Sequence, residues 1–198
     1  MNLFNGPPFK FARSNKLHSN FVNCVRYSPD GARMCQVGSD MKGFVIDSAS
    51  GDTLGELKGH KGTIYACAWS SGALRAQPLR GAAARAVTPP ARVRPADGGR
   101  IVTASADKTV IVWDASSFAV LGTYTFAEKP TPEDMQVGVV WVPDSERIIA
   151  LSLRGDLHHL DAATPGKITA LIKALPRPTA RPTVHPTVAP TPAVSPSL

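Results

Sequence analysis

Histidine, aspartate and cysteine are the residues in this chain that could do chemistry, and their spacing decides which kind. His60 stands just ahead of the apolar run Ile64 to Trp69, and Asp107 sits between two further runs. A histidine oriented by an aspartate could serve as a general base or begin a metal site. Nothing assembles around the pair: there is no glycine-rich phosphate loop, no nucleophile motif, and no cluster of acids at a useful spacing from histidine. His158-His159 invites a metal reading, but neighbours in a strand project to opposite faces and cannot easily share an ion. Cys24, Cys35 and Cys67 lie inside predicted strands without CxxC spacing, so they read as reduced, buried thiols. The expectation is a protein that is not an enzyme, with no metal, no cofactor and no small-molecule substrate.

The elements that position these residues are strands. In Gly99 to Asp114, GRIVTASADKTVIVWD, two runs alternate with period two around an Asp107-Lys108 turn, which predicts a β-hairpin with one face buried. Ile64 to Ser70 precedes it and Val120 to Phe126 follows it, making a four-strand unit. An earlier unit reads Val22 to Ser28, Arg33 to Gly38, Gly43 to Asp47 and Thr53 to Leu57, with a Pro29-Asp30-Gly31 turn. A later one reads Gln136 to Val142, Arg147 to Ser152, Leu157 to Asp161 and Lys167 to Ile172. Leu3 to Ala12 reads as the end of one more unit, with a Gly6-Pro7-Pro8 turn that suits a sheet edge.

Composition separates these units from two other stretches. The 198 residues carry a formal charge of +7. Arg75, Arg80, Arg85, Arg92 and Arg94 lie together in 71–98 against Asp97 alone, and Arg177 and Arg181 lie in the tail without an acid. The remainder is close to neutral, so the basic balance does not argue for nucleic acid. Residues 71–98 are rich in alanine, arginine, glycine and proline, and 174–198 in proline, threonine and alanine; both are expected to be disordered. No run approaches the roughly eighteen apolar residues of a membrane span and the N-terminus has no signal-like run, so a cytoplasmic protein without a membrane partner is expected.

The Gly59-His60 pair ahead of one strand and Trp113-Asp114 at the close of another resemble the WD repeat, one blade of a β-propeller. The resemblance implies a buried hydrogen-bond chain from histidine to turn aspartate and through a serine to the indole, here His60, Asp107, Ser105 and Trp113. In the first unit Asp40 matches Asp107, but Gly38 replaces the serine and Ile46 the tryptophan. In the last unit Ser152 keeps its place while Arg154 and Leu160 replace aspartate and tryptophan.

The ordered set FNGPPFKF, HSNFVNCVRYSPDG, GHKGTIYACAWS, TASADKTVIVWD and LSLRGDLHHLD is similar to the actin-interacting protein 1 family of WD-repeat proteins. That resemblance implies an all-β, incomplete WD-repeat β-propeller of about three four-stranded blades plus the end of a preceding one, spanning 1–173. It implies a protein associated with the cytoskeleton that binds actin filaments with cofilin and promotes their severing and disassembly, through a surface including Lys10, Phe11 and Phe21. A generic WD-repeat scaffold for another assembly is the alternative. Because 71–98 and 174–198 interrupt the repeat pattern, the chain is expected to be a truncated or mis-spliced member.

Overall fold

The computed structural model describes residues 2–4, 6–8, 10–70, 99–126 and 129–173. The stretches expected to be disordered, 71–98 and 174–198, lie outside the described residues. Among those described there is no α-helix, only a short 3-10 turn at Pro132–Asp134.

The strands form four antiparallel sheets. A two-stranded sheet comes first, β1 (Asn2–Phe4) with β2 (Phe11–Ser14). The first four-stranded sheet is β3 (Val22–Tyr27), β4 (Arg33–Gly38), β5 (Gly43–Asp47) and β6 (Thr53–Leu57). The second is β7 (Ile64–Trp69), β8 (Arg100–Ser105), β9 (Thr109–Asp114) and β10 (Val120–Thr125). The third is β11 (Gln136–Trp141), β12 (Arg147–Ser152), β13 (Leu157–Asp161) and β14 (Ile168–Ile172). Each is a meander in chain order, and the first strands β3, β7 and β11 pack against one another in a row. Three sheets that share an inner edge and stack face to face are blades of a propeller.

The three blades share fine detail. In each, the first strand slips register against the second near its start, between Val22 and Cys24, Ile64 and Ala66, and Gln136 and Gly138. The turn between second and third strands places one residue at positive φ: Met41 at 64°, Lys108 at 68° and Gly155 at 99°. Only the third blade gives that left-handed position to the residue that adopts it without steric cost.

The hairpin expected to bury one face buries both. Ile101, Val102, Ala104, Val110, Ile111, Val112 and Trp113 of β8 and β9 are all buried. The reason is stacking: Ile101, Ile111 and Trp113 join Val37, Val45 and Leu57 of the first blade, whereas Val102, Ala104, Val110 and Val112 join Trp141, Ile148 and Leu160 of the third. Burial of one such large side chain is worth roughly 1.5–3 kcal/mol, and a four-stranded blade gains it on both faces only between neighbours. A third cluster, Met34, Phe44 and Ile46 with Leu3 and Leu17, seats the β1–β2 hairpin on the first blade.

Polar clamps lock the blades in register. Arg33 lies 5.1 Å over the Trp69 ring and donates to the Ala115 carbonyl at 2.9 Å. Arg100 repeats this one blade on, 4.9 Å over Trp141 and 3.2 Å from the Ala162 carbonyl.

Candidate protein-docking surface and the buried histidine chain

His60 lies within the link from β6 into β7, and its side chain is fully buried. Its Nδ1 lies 2.8 Å from Asp107 Oδ2, in the β8–β9 turn. Its Nε2 lies 2.7 Å from Thr103 Oγ1, and the Trp113 indole N–H donates to that same oxygen at 2.8 Å. Asp107 also accepts from the Lys61 and Thr109 amides and from the Thr109 hydroxyl. Burial alone would push the Asp107 carboxyl up; the hydrogen bonds from His60, Thr109 and Lys61 outweigh it and hold the carboxyl well below its ordinary value.

An ionised Asp107 assigns the proton of a neutral His60 to Nδ1, leaving Nε2 to accept from the Thr103 hydroxyl, whose lone pair takes the indole N–H. Every donor then has an acceptor. A closed chain of this kind ties four segments of one blade together and leaves the imidazole no open lone pair for proton transfer.

The serine expected in this chain is not in it. Ser105 donates to the Gly62 carbonyl at 3.1 Å and accepts from the Asp107 amide at 3.2 Å, so it fastens the turn instead. Thr103 and Ser105 share a strand face, but Trp113 sits opposite Ile101, at the far end of the strand from the turn, and its indole reaches the nearer hydroxyl. A threonine two residues before the serine, on the same face, was the signal available in the sequence.

In the first blade the chain stops early. His18 Nδ1 lies 2.8 Å from Asp40 Oδ1, but His18 Nε2 and both amide atoms of buried Gln36, at the Thr103 position, have no hydrogen-bond partner among the described residues. Gly38 stands where Ser105 does because a Cβ there would lie 2.7 Å from both His18 Nδ1 and the Phe21 carbonyl. In the third blade Arg154 turns outward to Glu133 and Asp134. His158 packs its ring 4.2 Å from that of Phe126, while His159, its neighbour, lies on the opposite face of β13.

The residues expected to dock a partner lie at the N-terminal end of the stack. Lys10 is exposed, Phe11 in β2 is 59% exposed, and Phe21, ahead of β3, is 78% exposed. Phe21 is fixed through its backbone: its carbonyl accepts from the Ser39 amide and its amide donates to Asn20 Oδ1, both at 2.8 Å. The Ser39 bond also brings Phe21 to the β4–β5 turn that carries exposed Met41, with exposed Val22 next in sequence. Met41 could not be singled out in the sequence, because turn geometry and not sequence spacing brings that turn to Phe21.

Comparison with known proteins agrees with this architecture. The family model "WD domain, G-beta repeat" matches residues 9–47 and 94–114. WD repeat-containing protein 1 of Xenopus tropicalis is 34% identical over 173 residues, 86% of this chain and 24% of that protein. Actin-interacting protein 1 of Drosophila melanogaster is 32% identical over the same shares. Actin-interacting protein 1-2 of Arabidopsis thaliana is 53% identical over 68 residues, 33% of this chain and 11% of that protein. The chain therefore spans about a quarter of the length of the first two relatives. The solved structure of U3-55K shares the fold, with a TM-score of 0.61 at 16% identity over 80% of this chain and 41% of that one. Blade topology, the histidine-to-tryptophan chain and the matched residues agree on one finding: the chain carries WD40 repeats.

Proposed function

We propose that this chain is a non-enzymatic protein-docking module that binds actin filaments together with cofilin and promotes their severing and disassembly, placing it with the cytoskeleton in the cytoplasm. The observation that carries the reading is the exposure of Phe21 just ahead of β3 and of Phe11 in β2, with exposed Lys10 next to Phe11 in sequence. Two aromatic side chains held in water by a folded scaffold are what an interface anchor needs, because the protein side of the interface is already ordered. Lys10 supplies a cation for an acidic partner surface. The reading gains support from relatives whose names state an interaction with actin. The experiment is cosedimentation of the full chain with bare and cofilin-decorated filaments: pelleting that is stronger on decorated filaments supports the proposal, and a folded protein that stays in the supernatant with both defeats it.

A further inference from the structure

The near-neutral balance of the blades hides a separation of charge along them. In a meander the link into the first strand and the turn between the second and third strands fall at the same end of the sheet. In the first two blades these are residues 15–21 with 39–42, and 58–63 with 106–108. Hydrogen bonds join the two blades at that end. The Phe21 carbonyl accepts from the Ser39 amide, Asn23 Nδ2 donates to the Ser39 hydroxyl at 3.1 Å and to the Ile64 carbonyl at 2.8 Å, and the Thr63 carbonyl accepts from the Ala106 amide at 2.8 Å.

Five lysines, Lys16, Lys42, Lys58, Lys61 and Lys108, meet three acids here, Asp40, Asp107 and Glu56 near the end of β6. Asp40 and Asp107 are tied to His18 and His60, and only 5% and 12% of their side chains is exposed. Glu56 is shared by two lysines, Lys42 at 3.4 Å and Lys58 at 3.0 Å, whose side chains are 52% and 75% exposed. Lys61 is exposed as well. The carboxylates therefore lie low and the ammonium groups stand in water. The third blade ends the patch: there Arg154 is held by Glu133 and Asp134.

Exposed Phe21 and Met41 belong to this cationic end. Met41 precedes Lys42, and Phe21 is bonded to the same turn. Met41 also has φ of 64°, a left-handed backbone that disfavours a side chain, where the third blade has Gly155. A strained apolar residue displayed at a turn tip adds nothing to the core, and strain of this kind gathers at contact sites.

We propose that Phe21, Met41, Lys42, Lys58 and Lys61 form a docking site for an acidic polypeptide segment that carries apolar side chains between its carboxylates. Charge complementarity selects the occupant, and the two apolar side chains require the apolar counterpart that a polypeptide brings. No arginine, whose fork suits phosphate, lies in the four segments of this end. The inference deepens the docking reading and rests on it only at Phe21; Lys10 and Phe11 take no part in it.

The test is fluorescence anisotropy of the full chain with a labelled peptide of alternating glutamate and leucine, beside a lysine-leucine peptide and oligothymidylate of equal length. The expected result is binding of the acidic peptide alone, weakened by salt. Lys42→Gln/Lys58→Gln/Lys61→Gln and Phe21→Ala should each weaken it about tenfold or more, and Lys167→Gln, in the third blade's opposite turn, should leave it unchanged. Unchanged melting curves confirm that the variants fold. No binding of the acidic peptide, equal binding by the lysine variant, or tighter binding of oligothymidylate would each overturn the proposal. Pelleting with cofilin-decorated filaments separates the two readings: peptide binding without pelleting removes only the filament reading, and pelleting without peptide binding removes only this one.

Discussion

His60, in the loop ahead of β7, and Trp113, in β9, are joined through a single oxygen: Thr103 Oγ1 lies 2.7 Å from the imidazole and 2.8 Å from the indole nitrogen. Removing that hydroxyl leaves two buried polar groups without a partner. Each costs about 1–3 kcal/mol, so Thr103→Val destabilises the chain by about 2–6 kcal/mol. Ser105→Ala, which loosens one turn, costs about 1 kcal/mol. Urea unfolding of both variants checks the order, and a larger loss for Ser105→Ala would contradict the hydrogen-bond chain described here. Thr103→Ser retains the oxygen and most of the stability.

Gln36 occupies the same register in the first blade and is fully buried, with neither amide atom hydrogen-bonded among the described residues. An apolar side chain of similar size removes two desolvated groups without opening a cavity. Gln36→Leu is therefore expected to raise stability by about 1–2 kcal/mol, seen as a higher melting temperature. A fall in melting temperature would show that the amide is satisfied in solution.

Acid acts on two groups in different windows. The Asp107 carboxyl is held below its ordinary value of 3.8, so its contribution is fully present above about pH 4 and is lost as pH falls through 3.8 toward the folded-state value. Asp107→Asn flattens that limb of the stability curve, though Asp40, Asp47 and Asp114, also lowered, keep part of the slope. Burial pushes His158 below its ordinary 6.5, against the pull of Asp156 and Asp134. Its neutral form is the folded one, so stability is lost as pH falls through 6.5, and His158→Phe removes that loss. Denaturant midpoints from pH 8 to pH 3 measure both effects; a His158→Phe curve parallel to the parent's between pH 7 and pH 5 would contradict the second.

The clamp between the second and third blades predicts an asymmetry between two basic residues. Arg100→Lys keeps the charge beside Glu146, 2.5 Å away, but loses the flat stack on Trp141 and the reach to the Ala162 carbonyl. The variant is expected to lose about 1–2 kcal/mol, most of the loss of Arg100→Ala. Full rescue by lysine, measured by thermal unfolding, would reduce the clamp to a charge effect.

The strands were legible in the sequence because alternation and turn residues repeat in each unit: Arg33–Gly38, Gly43–Asp47 and Leu157–Asp161 lie where the pattern puts them. What alternation could not reveal was burial on both faces of β8 and β9, since a half-buried and a sandwiched strand differ in what stacks on them. The choice between Thr103 and Ser105 was equally hidden, because both lie on one strand face and only the reach of the Trp113 ring separates them. Phe21 could be singled out by its resemblance to a known motif. Its exposure, and its tie to the turn carrying Met41, follow from the backbone bond at Ser39.

Pelleting of the double variant Phe11→Ala/Phe21→Ala with cofilin-decorated filaments tests the docking reading most directly. Both side chains are exposed, so the variant should melt as the parent does while its filament affinity falls about tenfold or more. Parent-like affinity in a correctly folded double variant would contradict the account.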